Sequence, residues 1–285
     1  MVSTPLGPVY QPKALRRQVE WLLSPEDKDP LIFMGRDGLF RSWLAHHKLA
    51  CETTKELNVK LHELSDSFQE LLQNTAQITL TISNAYTYFE NEVGAVANCH
   101  KEPAIRFTGH LCILEDIQDD LSNTVRLLRK SGGDIPIILT LSPVRNFHLG
   151  MGTNSLSKAL LRVAIDRVVN QFSFVHYFPA FEIMMDDLRD YRYYKEDMIH
   201  PTEQAAHYIA ELFINALFSD PLQKIFREGQ KIFKLMAHKP ITDTKGKKVS
   251  NKLFTEFVKK YWPNSCQKNT TLHNFILRNA SDQSF

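Results

Sequence analysis

Asp197-Met198-Ile199-His200 places a carboxylate and an imidazole three residues apart, directly ahead of Pro201 and a strongly helical run. Proline is preorganised for a first helical turn, so the pattern predicts both side chains in the loop feeding a helix N-terminus, within reach of a shared hydrogen bond. An aspartate that holds a neutral histidine in one tautomer leaves the other ring nitrogen able to take a proton, which is the orienting half of an acyl-transfer triad. In a chain with 11 histidines and 32 acidic residues such a pair also arises by chance, and the alternative is a loop whose histidine only caps the following helix.

The elements that must hold this loop are legible on either side of it. Leu114 to Lys130 has helical periodicity and ends in Ser131-Gly132-Gly133, a left-handed cap signal. Ile135 to Leu141 is a nearly continuous apolar strand, as expected where both faces are covered. A polar loop, Ser142 to Thr153, leads to a helix from Asn154 to about Asn170, then to a strand over Phe172 to Phe178. This alternation predicts right-handed βαβ units in a parallel sheet, with helices on both faces and the site beyond the carboxyl ends of the strands. Ser142 to Arg145 and Pro179 to Glu182 then share a rim with Asp197 and His200.

Upstream, Pro12 opens an amphipathic helix through Leu15, Val19, Leu22 and Leu23, and Thr53 to Asn74 carries leucines at helical spacing. Gln77 to Ser83 reads as a strand followed by a hairpin, Tyr86 to Phe89 with Val93 to Ala97, closed by Asn98-Cys99-His100-Lys101. Pro201 to Phe218 and Pro221 to His238 read as helices. Residues 1–238 are expected to form one α/β domain, and residues 239–285 a basic, partly helical appendage rich in Lys245, Lys247, Lys248 and Lys252.

Lys and Arg exceed Asp and Glu only by 34 to 32, and hydrophobic residues make up 43%, so nothing in composition calls for nucleic acid or a membrane as partner. The four cysteines, Cys51, Cys99, Cys112 and Cys266, are scattered and read as reduced thiols. There is no run of about 18 apolar residues, and Pro5, Pro8 and Pro12 stand where a signal peptide has its apolar core, so a cytoplasmic location is expected. His46, His47, His100 and His148 fit no common ligand spacing, and neither a metal nor a cofactor is expected.

Several stretches, in unbroken order, resemble the GSCFA family, a branch of the SGNH (GDSL-like) hydrolase superfamily. They run from Pro5-Leu6-Gly7 and Tyr10-Gln11-Pro12 through Gly38 to Trp43, Ala97 to Lys101, Ser142 to Arg145, Asn154 to Ala159 and Phe178 to Glu182, then to Asp186–Arg192 and Glu196–Thr202. The resemblance implies a flavodoxin-like three-layer α/β domain with His200 as general base and Asp197 as its orienting carboxylate. It also implies a Ser-type ester hydrolase or acyltransferase acting on a small O-acyl ester of a carbohydrate, lipid or peptide. The Gly-Ser-Cys-Phe-Ala motif that names the family, and whose serine is the nucleophile, does not occur in the chain. The expectation is therefore an N-terminally incomplete version of a longer protein with little or no turnover, or a non-catalytic protein that keeps the cleft.

For the oxyanion, Ser83 stands where the family has a strand-end glycine, and Ser83-Asn84 are candidates to donate through backbone and amide. Asn98 and His100 either contribute donors or stabilise the turn after the hairpin. Arg145 either anchors an acidic substrate group or pairs with a carboxylate such as Glu182. Asp186 to Arg192 reads as a salt-bridged, solvated segment.

Overall fold

The computed structural model describes residues 4–237, 253–257 and 260–261. In chain order its elements are α1 (Pro12–Leu23), the pair β1 (Ile32–Met34) and β2 (Phe40–Ser42), α2 (Thr54–Gln73), β3 (Ile78–Ile82), β4 (Tyr86–Glu90), β5 (Gly94–Ala95) and β6 (Phe107–Leu111). There follow α3 (Leu114–Gly132), β7 (Ile137–Leu141), α4 (Met151–Gln171), β8 (Val175–Phe178), a single helical turn α5 (Ala180–Glu182), α6 (Glu203–Leu217) and α7 (Asp220–Ala237). The chain divides into two compact units, Met1–Ile209 and Ala210–Phe285.

The first unit is an α/β domain built on a parallel sheet in the order β3-β7-β8. Ile78, Leu80 and Ile82 lie beside Ile137, Leu139 and Leu141, which lie beside Val175 and Tyr177. Onto this face pack the apolar stripes of α1 (Ala14, Leu15, Val19), α3 (Ile117, Leu121, Val125, Leu128) and α4 (Leu161, Ala164, Ile165, Val168) in one core. Each fully buried aliphatic side chain there contributes roughly 1.5–3 kcal/mol. Every residue of β7 is buried because it has a strand on each edge and cover on both faces. On the opposite face Ile138 and Thr140 are buried, whereas Thr79, Thr81 and His176 are exposed.

Two further sheets flank this core. β1 and β2 form a short antiparallel pair, and β4 pairs antiparallel with both β5 and β6. The hairpin read from the sequence is therefore present, with an added third strand, β6. Gly109 of β6 sits under the Tyr86 ring, where a Cβ would come within 2.6 Å of ring atoms, so the cross-strand contact requires glycine.

Two helix starts differ from the sequence expectation. α4 begins at Met151, three residues early, because Gly150 at φ +83° turns the chain into it. Asn154 then lies inside the helix, where its side chain accepts the Asn146 N–H. α6 begins at Glu203: Thr202 caps it by accepting the Ala205 N–H, and Pro201 pairs with Tyr194 in an isolated bridge. The proline thus closes the preceding loop instead of opening the helix.

In the second unit, Glu228 of α7 accepts from Tyr261 at 2.8 Å and pairs with Lys260 at 3.2 Å. The lysine-rich stretch from Lys245 to Lys252 and the polar tail lie outside the described residues. No helix among the described residues is long and apolar enough to cross a membrane.

Candidate active site

The loop from Tyr193 to Thr202 is folded by its own backbone. Lys195 N–H donates to the His200 carbonyl, Thr202 N–H to the Tyr193 carbonyl, and Met198 N–H to the Lys195 carbonyl. Met198 adopts a left-handed conformation at φ +58°, costly for a side chain of this kind and held here by Asp197. One carboxylate oxygen, Oδ1, accepts the N–H groups of both Ile199 and His200, at 2.8 and 3.0 Å. The other, Oδ2, lies 2.6 Å from His200 Nδ1.

These bonds hold the Asp197 carboxyl well below its ordinary range, at about 2, with the His200 backbone N–H the largest cause, then the His200 ring and the Ile199 N–H. An ionised carboxylate can only accept, so Nδ1 carries the proton and Nε2 is the basic nitrogen. Both side chains are half-exposed, and among the described residues nothing is hydrogen-bonded to Nε2. The arrangement is an imidazole with one nitrogen held by a carboxylate and the other open to solvent.

Arg145 is fastened to this loop. Its N–H donates to the Ile199 carbonyl and its Nη1 to the Met198 carbonyl, each at 3.3 Å, and its guanidinium lies 3.9 Å above the Tyr194 ring. The pairing with Glu182 does not occur. Glu182 is taken by Arg162 at 3.0 Å and by the Tyr177 hydroxyl at 2.7 Å, at the carboxyl end of β8.

Ser83 and Asn84 do stand at the carboxyl end of β3, but their backbone donors are occupied. Both N–H groups point at the Tyr10 carbonyl, at 3.0 and 3.1 Å. Asn84 Oδ1 accepts from the Tyr86 N–H and the Ser157 hydroxyl, and both residues are buried. As oxyanion donors through backbone they are therefore corrected: the segment ahead of α1 crosses the strand end and takes these groups. Lys158, on the buried side of α4, completes the arrangement by donating to the Ser83 and Ser142 carbonyls, each at 2.7 Å. Burial lowers the Lys158 ammonium to about 8. Sequence reading passed it over, although its spacing with Leu161, Ile165 and Val168 puts it on the apolar stripe of α4.

Asn98 and His100 serve the turn. Asn98 Oδ1 accepts the His100 N–H at 2.7 Å. The His100 ring is buried edge-on to Phe33 and Trp43, which stack on each other at 3.7 Å. His100 Nε2 lies 3.0 Å from the Ser42 carbonyl and so carries the proton, leaving Nδ1 buried without a partner. Burial, with Arg41, His47 and His46 adding to it, lowers this imidazole to about 4, against the raising effect of the Ser42 bond. No hydrogen bond, ion pair or ring contact among the described residues joins Asn98 or His100 to Asp197 or His200, because their turn is committed to the β1–β2 pair. The charged run behaves as a solvated segment, with Asp186 to Arg189 at 2.9 Å and Asp190 to Arg192 at 3.3 Å. Among the described residues no three His, Cys, Asp or Glu side chains are grouped to hold a metal ion.

No curated protein and no solved structure matches the chain. The family model described as the GSCFA family matches residues 1–213, three quarters of the sequence, and the chain belongs to that family.

Proposed function

We propose that the domain carries the acid–base half of a Ser-His-Asp ester hydrolase or acyltransferase of SGNH type, with a small O-acyl ester of a carbohydrate, lipid or peptide as substrate. The observation that carries this reading is the 2.6 Å bond that His200 Nδ1 donates to Asp197 Oδ2, with Nε2 left open at the rim. In this reading Nε2 takes the proton of a hydroxyl or water as it attacks the ester carbonyl, then returns it to the departing alcohol. Asp197 fixes the tautomer and stabilises the imidazolium. The free thiols of Cys51, Cys99 and Cys112 suit a reducing compartment, so the cytoplasm is the proposed location.

A second reading, a non-catalytic binding or structural protein, is favoured by two observations. Among the described residues no hydroxyl is hydrogen-bonded to His200, and the strand-end N–H groups of Ser83 and Asn84 are already taken. Turnover by this chain is accordingly expected to be slight.

Hydrolysis of p-nitrophenyl acetate separates the two readings. The hydrolase reading expects a slow reaction that His200→Ala reduces by roughly a hundredfold, the lower end of what a positioned base supplies. Equal rates for the two proteins would leave the binding protein as the answer. In-frame DNA encoding Gly-Ser-Cys-Phe-Ala upstream of the Met1 codon would supply the hydroxyl and further favour the enzyme.

A further inference from the structure

Among the described residues Arg145 is the one guanidinium hydrogen-bonded to the loop that carries His200, and it forms no ion pair with an acid. Its position is fixed twice over, by the backbone bond to Ile199 and by the Nη1 bond to Met198, so its orientation is tied to residues one and two before the base. Tyr194 lies under the plane of the guanidinium at 3.9 Å, and the Phe147 ring is 5.4 Å away. An arginine stacked in this way has its remaining donors confined to the plane of the group. Nε and Nη2 have no partner among the described residues, and neither is a buried unsatisfied atom, so both remain accessible.

The surrounding acids do not compensate the charge. Asp197 is committed to His200 and two backbone N–H groups, Glu182 to Arg162 and Tyr177, Asp186 to Arg189, and Asp190 to Arg192. Asp187 accepts from Tyr208 at 3.3 Å, and Glu196, exposed on the same loop, makes no ion pair among the described residues.

We propose that Arg145 is a specificity-determining residue that binds a carboxylate on the substrate, so that the site prefers esters carrying an anionic carboxylate close to the ester bond. The inference rests on the reading of His200 as the base acting on that ester. A planar fork with two donors along one edge matches a carboxylate in bidentate fashion. Arg162, Arg189 and Arg192 are each paired with an acid, so they add no free guanidinium for a dianion. Because Arg145 is bonded to the two residues that precede His200, a carboxylate held by it would be tied to the loop of the base, and its binding would contribute position without touching the reacting atoms.

The test compares monomethyl succinate with its neutral counterpart dimethyl succinate, titrated into the full chain and followed by the NMR signals of the His200 and Tyr194 rings. Monomethyl succinate is expected to shift both rings and to bind at least about tenfold more tightly than dimethyl succinate, the scale of one charge-assisted pair. Added salt should weaken the preference, since the site is open to solvent. Arg145→Gln is expected to abolish the preference, and Arg145→Lys, which keeps the charge but not the fork, to restore only part of it.

Equal binding of the two esters by the unaltered chain would overturn the inference without reference to any variant. So would a preference that survives Arg145→Gln. Carboxylate preference without His200-dependent hydrolysis would remove the hydrolase reading and leave Arg145 as a ligand-binding residue. His200-dependent hydrolysis with no carboxylate preference would do the reverse.

Discussion

Replacing Lys158 with methionine is expected to cost roughly 2–4 kcal/mol near neutral pH, although it removes a buried charge. Methionine matches the stem but leaves the Ser83 and Ser142 carbonyls without donors inside the protein, each worth about 1–3 kcal/mol when unsatisfied, offset in part by relief of the lysine's desolvation. The pH dependence identifies the cause. Lys158 is 4% exposed and titrates at about 8 when folded, below the ordinary 10.5. Between those values the unfolded chain binds more protons than the folded one, so folding stability rises with pH across that window. The advantage of the natural chain over Lys158→Met should therefore widen above about pH 8, by about 3 kcal/mol once both states are deprotonated. Urea unfolding of the two proteins across this range measures it. A gap that narrows with rising pH, or no gap at all, would rule the account out.

The second large effect lies at the other end of the pH scale, in His100. The folded imidazole titrates at about 4 and the unfolded one near 6.5, so the unfolded chain binds more protons in between. Stability attributable to His100 is complete above about pH 6.5 and is lost as pH falls toward 4, by up to about 3 kcal/mol. Protonation would put a cation against the stacked pair of Phe33 and Trp43, with Arg41 already near. In His100→Gln the amide can still donate to the Ser42 carbonyl but cannot titrate. That variant should be less stable at neutral pH, because the ring contacts are gone, yet show a flatter stability profile between pH 6.5 and 4. An unchanged profile would place the acid sensitivity elsewhere.

How far the sequence carries is clearest from particular elements. α3 was readable from Leu114 to its glycine stop because an amphipathic period and a positive-φ cap, Gly133 at +77°, are local signals. β7 was readable because a strand flanked on both edges has no polar face to interrupt it. β6 was not, since its residues are mostly exposed and its place depends on Gly109 slipping beneath Tyr86, a partner 23 positions away. Within the site, the bond between Asp197 and His200 is a contact over three residues and could be anticipated from spacing. The occupation of the Ser83 and Asn84 donors could not, because it depends on where Tyr10 passes across the end of a strand formed much later in the chain. His100 looked available for chemistry only while the aromatic pair around it was invisible.

The two oxygens of Asp197 do separate jobs, and this determines what each substitution at that position can teach. Oδ1 shapes the loop by holding Ile199 and His200, while Oδ2 sets which imidazole nitrogen bears the proton. In Asp197→Asn the amide oxygen can keep the first job, but the NH2 group now faces Nδ1 and favours the opposite tautomer. Asp197→Ala abandons both jobs and frees Met198 from its left-handed turn. The ring nitrogen chemical shifts of His200 in these variants would thus distinguish an inverted proton from an undone loop, two failures that a loss of turnover alone would report as one.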